Sequence, residues 1–347
     1  MNRFPSKFLS VNRKSAIENR KLVGLLAICV AFALYGAAAE AQQTGKVLRI
    51  GFLDPSTASG SADLLDALRQ ELRKLGWTED KNIAFEYRFA EGKPERLPEL
   101  AADLVRLKVD LIVVSGISAA LVAKPATATI PIVMTNVDDP VVAGLVESLA
   151  RPGGNVTGFS TLSFQLATKR LEVLRDAIPK LLRVGFLLGT RASVLGDLQL
   201  KELRPAALAL KLKLEEIETQ TDPKDLESAF QTAKQKQVGA IMTAATRNFF
   251  AERKRIVELA RKYRLPAIYP RKEFVDEGGL MSYGADYADQ NRSAAHYVDK
   301  ILKGAKPRDL PVQQATKFEF IINLKAAKQI GLTIPPELLA RANQVIK

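Results

Sequence analysis

Cysteine and histidine are almost missing from this chain: 347 residues hold one of each. Cys29 sits inside an apolar run near the N-terminus, and His296 within a helical pattern from Ala285 to Lys303, away from any strand-end loop. The body of the chain therefore has no disulfide, no thiol nucleophile and no Cys-ligated metal. With a single histidine, Ser-His-Asp triads and His-rich metal sites have almost nothing to build on. Also missing are a G-x-S-x-G elbow, a G-x-x-x-x-G-K-[ST] loop and a G-x-G-x-x-G fingerprint. Asp138 and Asp139 form a carboxylate pair, but they are adjacent, and adjacent residues seldom converge on one bond. These absences point to a protein that is not an enzyme, with no cofactor and no metal.

Positive charge is plentiful. The formal net charge is +13, and residues 1–41, with six Lys/Arg and two Asp/Glu, account for four of it. The remaining basic residues are dispersed among acids, as in Lys234-Gln235-Lys236, and no basic block is interleaved with aromatics. A solvated basic surface is expected, without a nucleic-acid partner, on a chain that works as a monomer.

The N-terminus is built differently from the rest. Six basic residues up to Lys21 precede an apolar run from Leu22 to about Tyr35, and small residues follow, ending Ala39-Glu40-Ala41. Basic, apolar, then small with an A-x-A ending is the layout of a cleavable secretory signal. The run is short of the roughly 20 apolar residues that a spanning helix needs. Cleavage after Ala41 and a mature start at Gln42 are expected. Cys29 has the outline of a lipoprotein acylation site, but Ile28 stands where a small residue is required.

The remainder repeats itself. Arg49-Ile50-Gly51-Phe52-Leu53 recurs as Arg183-Val184-Gly185-Phe186-Leu187, an offset of roughly 130 residues. Each copy leads through a helix with apolar residues at three- and four-residue steps to strands Ile83–Tyr87 and Leu212–Ile217. Proline-started helices follow from Pro94 and Pro223, then apolar strands Val109–Val114 and Val238–Thr243, then X-Pro strands at Ile130–Val133 and Leu265–Ile268. Strand–helix alternation implies right-handed crossovers and parallel sheets. The expected fold is α/β: two similar doubly wound parallel-sheet lobes with a ligand cleft between them. The lobes are read as 47–160 plus 280–305 and 161–279 plus 306–347. Hinges are expected near Thr157–Phe164, Gly278–Gly279 and Lys306–Pro311.

In such sheets ligands sit beyond the carboxyl ends of the strands. The loops there hold the candidate ligand-binding residues: Asp54, Ser56, Ser115, Gly116, Ser118, Asn136, Asp139 and Thr157 in the first half, Thr190, Thr246 and Glu273 in the second, and Tyr283 and Asp286 near the return. Each Ser, Thr or Asp is also an ordinary helix cap when taken alone. Convergence on one cleft is what favours ligand contact. Ser115, Ser118 and Asn136 are expected to hold a ligand carboxylate. Asp139, Glu273 and Asp286 are the candidates for pairing with a ligand amine, with Tyr283 stacking on an aromatic group.

Longer runs carry a resemblance. Glu86-Tyr87-Arg88, Leu97-Pro98-Glu99-Leu100-Ala101, Ala126-Thr127-Ala128-Thr129-Ile130-Pro131-Ile132-Val133, Leu149 to Gly158, Gly278 to Gly284 and Leu302 to Pro307 resemble the ABC-transporter substrate-binding family that includes the tryptophan/tyrosine-type uptake proteins. The resemblance implies a type I periplasmic-binding fold with three crossovers between lobes, and a permease and an ATPase encoded elsewhere as partners. It also implies a periplasmic solute-binding component of an importer, its ligand an aromatic amino acid or a related carboxylate. It places the return to the first lobe at Leu280–Tyr283 and the helix after Asp286, and a second pass from Pro311. The chain departs from the family's usual pattern at Asn136-Val137-Asp138-Asp139 and Thr246-Arg247-Asn248. The alternatives are a receptor of the same fold presenting its ligand to a membrane sensor, and an exported hydrolase.

Overall fold

Strands that are apolar on both faces need cover on both faces, and the alternating helices supply it. The computed structural model describes residues 47–189, 194–220 and 222–347. The expected secretory signal and Thr190 lie outside the described residues. Strands β1–β5 are Leu48–Asp54, Ile83–Phe89, Leu111–Ser115, Ile132–Val137 and Val156–Ser160. Strands β6–β10 are Arg183–Leu188, Lys213–Glu218, Ala240–Thr243, Ala267–Tyr269 and Met281–Ala285, and β11–β13 are Gln313–Gln314, Phe318–Asn323 and Gln344–Ile346.

The first sheet runs β11-β5-β4-β3-β1-β2 and is parallel throughout. The second runs β13-β12-β10-β9-β8-β6-β7, and only the β10–β12 pairing is antiparallel. β1 and β6 hold equivalent places, as the repeated R-x-G-F-L segment implies.

Every residue of β3 and β4 is buried. One face of the first sheet packs on helices Leu97–Arg106 and Ile117–Ala126 through Leu104, Ile112, Val114 and Ala120. The other packs on Ala58–Lys74 and Tyr287–Leu302 through Phe52, Leu68, Val113 and Val298. The second lobe has its own core around Phe186, Leu203, Phe230 and Ile241.

The chain passes between the sheets three times: after β5, after β10 and after β11. Two boundaries differ from the sequence reading. Met281–Ala285, which was assigned with 280–305 to the first lobe, pairs with β9 and β12 in the second sheet. The return falls at Asp286, whose carboxylate accepts the Asp289 N–H and starts the next helix. Residues 306–314 likewise stay on the first lobe. Val312 N–H donates to Leu149 O at 2.7 Å, Tyr297 Oη donates to Pro311 O at 2.6 Å, and β11 adds to the edge of β5. A two-residue edge strand leaves too little pattern to read in advance.

Candidate functional site

The carboxyl ends of β3 and β4 face those of β8 and β9 across a cavity of about 50 Å³ that opens to solvent. From the first lobe, Gly116, Ile117, Ser118, Asn136 and Asp138 line it. From the second come Gln199, Thr246, Arg247, Phe250, Arg271 and Phe274, with Phe164 and Tyr287 beside the crossings.

The first-lobe wall is built from two local features. Gly116 caps the Ile117–Ala126 helix with φ of 84° and has no side chain, so the first-turn N–H groups are left uncapped toward the cavity. β4 carries a register slip between Met134 and Val137, and Asn136 within it has φ of 57°, a conformation that asparagine tolerates better than most residues. The Asn136 amide donates to Ser115 Oγ at 3.2 Å, while its Oδ1 is buried with no hydrogen-bond partner among the described residues.

Asp138 follows the slip. Its Oδ1 accepts from Thr161 Oγ1 at 2.6 Å and from Ser163 N–H at 3.1 Å, and its carbonyl accepts from Ser160 Oγ. Burial pushes its carboxyl up to about 6, although the hydrogen bond from Thr161 and the nearby Arg170 guanidinium oppose the rise. Arg170 is buried too, and burial lowers it to about 10, so it stays charged at neutral pH.

Two arginines dominate the second-lobe wall. Arg247 Nη2 lies 2.8 Å from Asp54 Oδ2 across the cleft. Arg271 is sandwiched between Phe250 and Tyr287, its guanidinium carbon 3.7 and 4.1 Å from the ring centroids, an attractive cation–π geometry. It also grips Glu273 through Nη2 at 2.7 Å and Nε at 3.3 Å. Burial alone would raise the Glu273 carboxyl, but Arg271 holds it below the ordinary carboxylate value. Each arginine thus has its own carboxylate, and the cavity is close to charge-neutral.

Of the residues expected from sequence, Gly116, Ser118, Asn136 and Thr246 line the cavity. Ser115 stands behind Asn136 as its hydrogen-bond partner. Asp54 is fully buried and occupied by Arg247, and Ser56 donates its N–H to Asp54 Oδ1 at 2.7 Å. Thr157 is spent elsewhere, its Oγ1 donating to Leu310 O at 2.6 Å. None of the three carboxylates proposed for an amine lines the cavity, and each already has partners. Asp139 accepts the N–H groups of Val141 and Val142, Asp286 caps its helix and pairs with Arg292 at 3.3 Å, and Glu273 holds Arg271. Tyr283 packs edge-on against Phe320 with centroids 5.9 Å apart. Sequence reasoning missed Asp138, Arg247, Arg271, Phe250 and Tyr287 as lining residues. The one available signal was that Asp138 and Arg247 fall in the two segments that depart from the family pattern.

Comparison with known proteins agrees with this architecture. The model of a family described as ABC transporter substrate binding protein matches residues 58–346. A tyrosine-binding protein of Clostridioides difficile (strain R20291) is 30% identical over 264 residues, covering 75% of this chain and 74% of that protein. Among solved structures, an ABC domain from Streptococcus pneumoniae in complex with L-Trp superposes with a TM-score of 0.78 at 26% identity, covering 87% of this chain and all of that one. The ligand-free, open structure of a substrate-binding protein with adhesive properties from Clostridium difficile, at 25% identity, covers 87% of this chain and 99% of its own with a TM-score of 0.63. Among the described residues, no helix is long and apolar enough to cross a membrane.

Proposed function

The chain belongs to the ABC transporter substrate-binding protein family, whose members bind solutes and do not transform them, and we propose that it captures an α-amino acid with an aromatic side chain in the periplasm for an importer's permease and ATPase. The observation that carries this reading is that the cavity lining holds acceptors and donors together. The acceptors are Asp138 and the unpartnered Asn136 Oδ1. The donors are the uncapped start of the Ile117–Ala126 helix and Arg247. A zwitterion needs both, and a near-neutral cavity suits a ligand without net charge. Phe164, Phe250, Phe274 and Tyr287 add apolar lining, with Arg271 covering one face of Phe250 and one of Tyr287. Relatives that bind tyrosine and L-Trp support the same class.

The test is a thermal-shift and calorimetry screen against the amino acids and their amine-free and carboxylate-free analogues. At a ligand excess of about a hundredfold over Kd, binding to the folded state alone adds about 2.7 kcal/mol, a rise in Tm of several degrees. Aromatic amino acids should give it. Response only to amine-free carboxylates would replace the reading with an organic-acid one. Export is checked separately: osmotic-shock fluid should contain protein that begins at or near Gln42, and membrane-held protein with residues 1–41 intact would contradict it.

A further inference from the structure

Arg247 belongs to the second lobe, yet most of its polar contacts are with the first. Its Nη2 donates to Asp54 Oδ1 and Oδ2 at 3.0 and 2.8 Å and to Ser61 Oγ at 3.0 Å, and its Nε donates to Asp54 Oδ1 at 3.3 Å. The first lobe is shaped to admit it. A Cβ on Gly116 would lie 3.1 Å from Arg247 Cγ, in a backbone conformation that side chains rarely adopt. Phe250 lies beneath the guanidinium, its centroid 5.1 Å away.

One nitrogen has no role in this arrangement. Arg247 Nη1 is buried and has no hydrogen-bond partner among the described residues, although the residue lines the cavity and is only 8% exposed. A guanidinium N–H left dry is costly, and the group that best completes an arginine edge is a carboxylate.

Resting on the amino-acid reading above, we infer that Arg247 is a ligand-binding residue whose Nη1 receives the carboxylate of the bound amino acid beside the uncapped helix start. Asp54 is then a positioning residue: it holds the guanidinium across the cleft and does not touch the ligand.

Calorimetry with four probes separates the possibilities: L-tyrosine, L-tryptophan, tyramine (no carboxylate) and 3-(4-hydroxyphenyl)propionate (no amine). Arg247→Gln should weaken both amino acids about a hundredfold and tyramine less than about twofold. Asp54→Asn should weaken the amino acids about tenfold in the wild-type background and have no further effect in Arg247→Gln. Equal losses for tyrosine and tyramine would overturn the inference, because a merely structural role weakens both alike. Unchanged tyrosine affinity in Arg247→Gln would overturn it too. If only the propionate binds, and does so through Arg247, the carboxylate contact stands and the amino-acid reading falls. If tyramine alone binds, or nothing does, the inference falls. Should Arg247→Gln fail to fold, Arg247→Lys makes the same discrimination, since one ammonium cannot serve Asp54 and the ligand from separate nitrogens.

Discussion

Replacing Asp138 by asparagine is expected to lower affinity for an amino-acid ligand about a hundredfold at pH 7.5. The empty protein should be as stable as before, or more so. Among the described residues Asp138 is the one carboxylate lining the cavity, and burial holds its carboxyl at about 6 against an ordinary value of 3.8. Among the charged groups that act on it, Arg170 favours the ionised form and Asp139 opposes it. In the empty protein the folded state binds the proton more tightly than the unfolded chain. This group therefore favours folding most below about pH 4, and that contribution is lost as pH rises through about 6. A ligand ammonium reverses the balance by stabilising the carboxylate, so binding near pH 6 should release a proton. Wild-type affinity should fall about tenfold between pH 7 and pH 5, where about nine-tenths of the empty sites are protonated. Calorimetry in two buffers of different ionisation enthalpy measures both effects, and Asp138→Asn should remove both. A pH-independent wild-type affinity, or an asparagine variant that binds as well as wild type, would exclude Asp138 as the amine's partner.

The choice between Asp138 and Asp139 shows where sequence reading loses its grip. The repeat of R-x-G-F-L and the order of strands and helices are local patterns, and from them the two lobes and the cleft loops were legible. Adjacent side chains leaving a strand point in opposite directions, so which of two aspartates faces the cleft depends on register. Here the slip between Met134 and Val137 decides it, and a lone asparagine in an apolar strand, Asn136, is too weak a signal to place it in advance. Arg247 was hidden for a different reason. Its partner, Asp54, is 193 residues away, and the pair exists only once the lobes meet. Arg170 was hidden by its setting. An arginine in a helix of mixed polarity, Ser163–Ala177, reads as a solvent-facing residue, yet it is 2% exposed.

That burial gives Arg170 the largest expected effect on stability. Its Nη2 donates to Ser163 O at 2.9 Å, just past the first crossing, and its Nη1 donates to Tyr283 O at 3.1 Å, on the strand before the second. It therefore ties together the two segments about which the lobes would turn, and its charge offsets that of Asp138. Replacing it with methionine keeps most of the volume but leaves both carbonyls without this donor and Asp138 without its nearest cation. Some of that loss is returned, because Arg170 Nε is itself buried without a partner and a guanidinium is costly to desolvate. Ser163 O keeps its place in the helix ladder, but Tyr283 O loses its side-chain donor and Asp138 a cation, so Arg170→Met should cost about 2 kcal/mol, read as a lower urea midpoint. Because the lost charge acts on Asp138, the double variant Arg170→Met/Asp138→Asn should be more stable at pH 7.5 than Arg170→Met alone, by about 1 kcal/mol. Hydrogen exchange should rise at Ser163 and Tyr283 before it rises in the core strands β3 and β8. A methionine variant as stable as wild type would show that the carbonyls find other donors, and additivity in the double variant would remove the coupling between the tie and the ligand carboxylate.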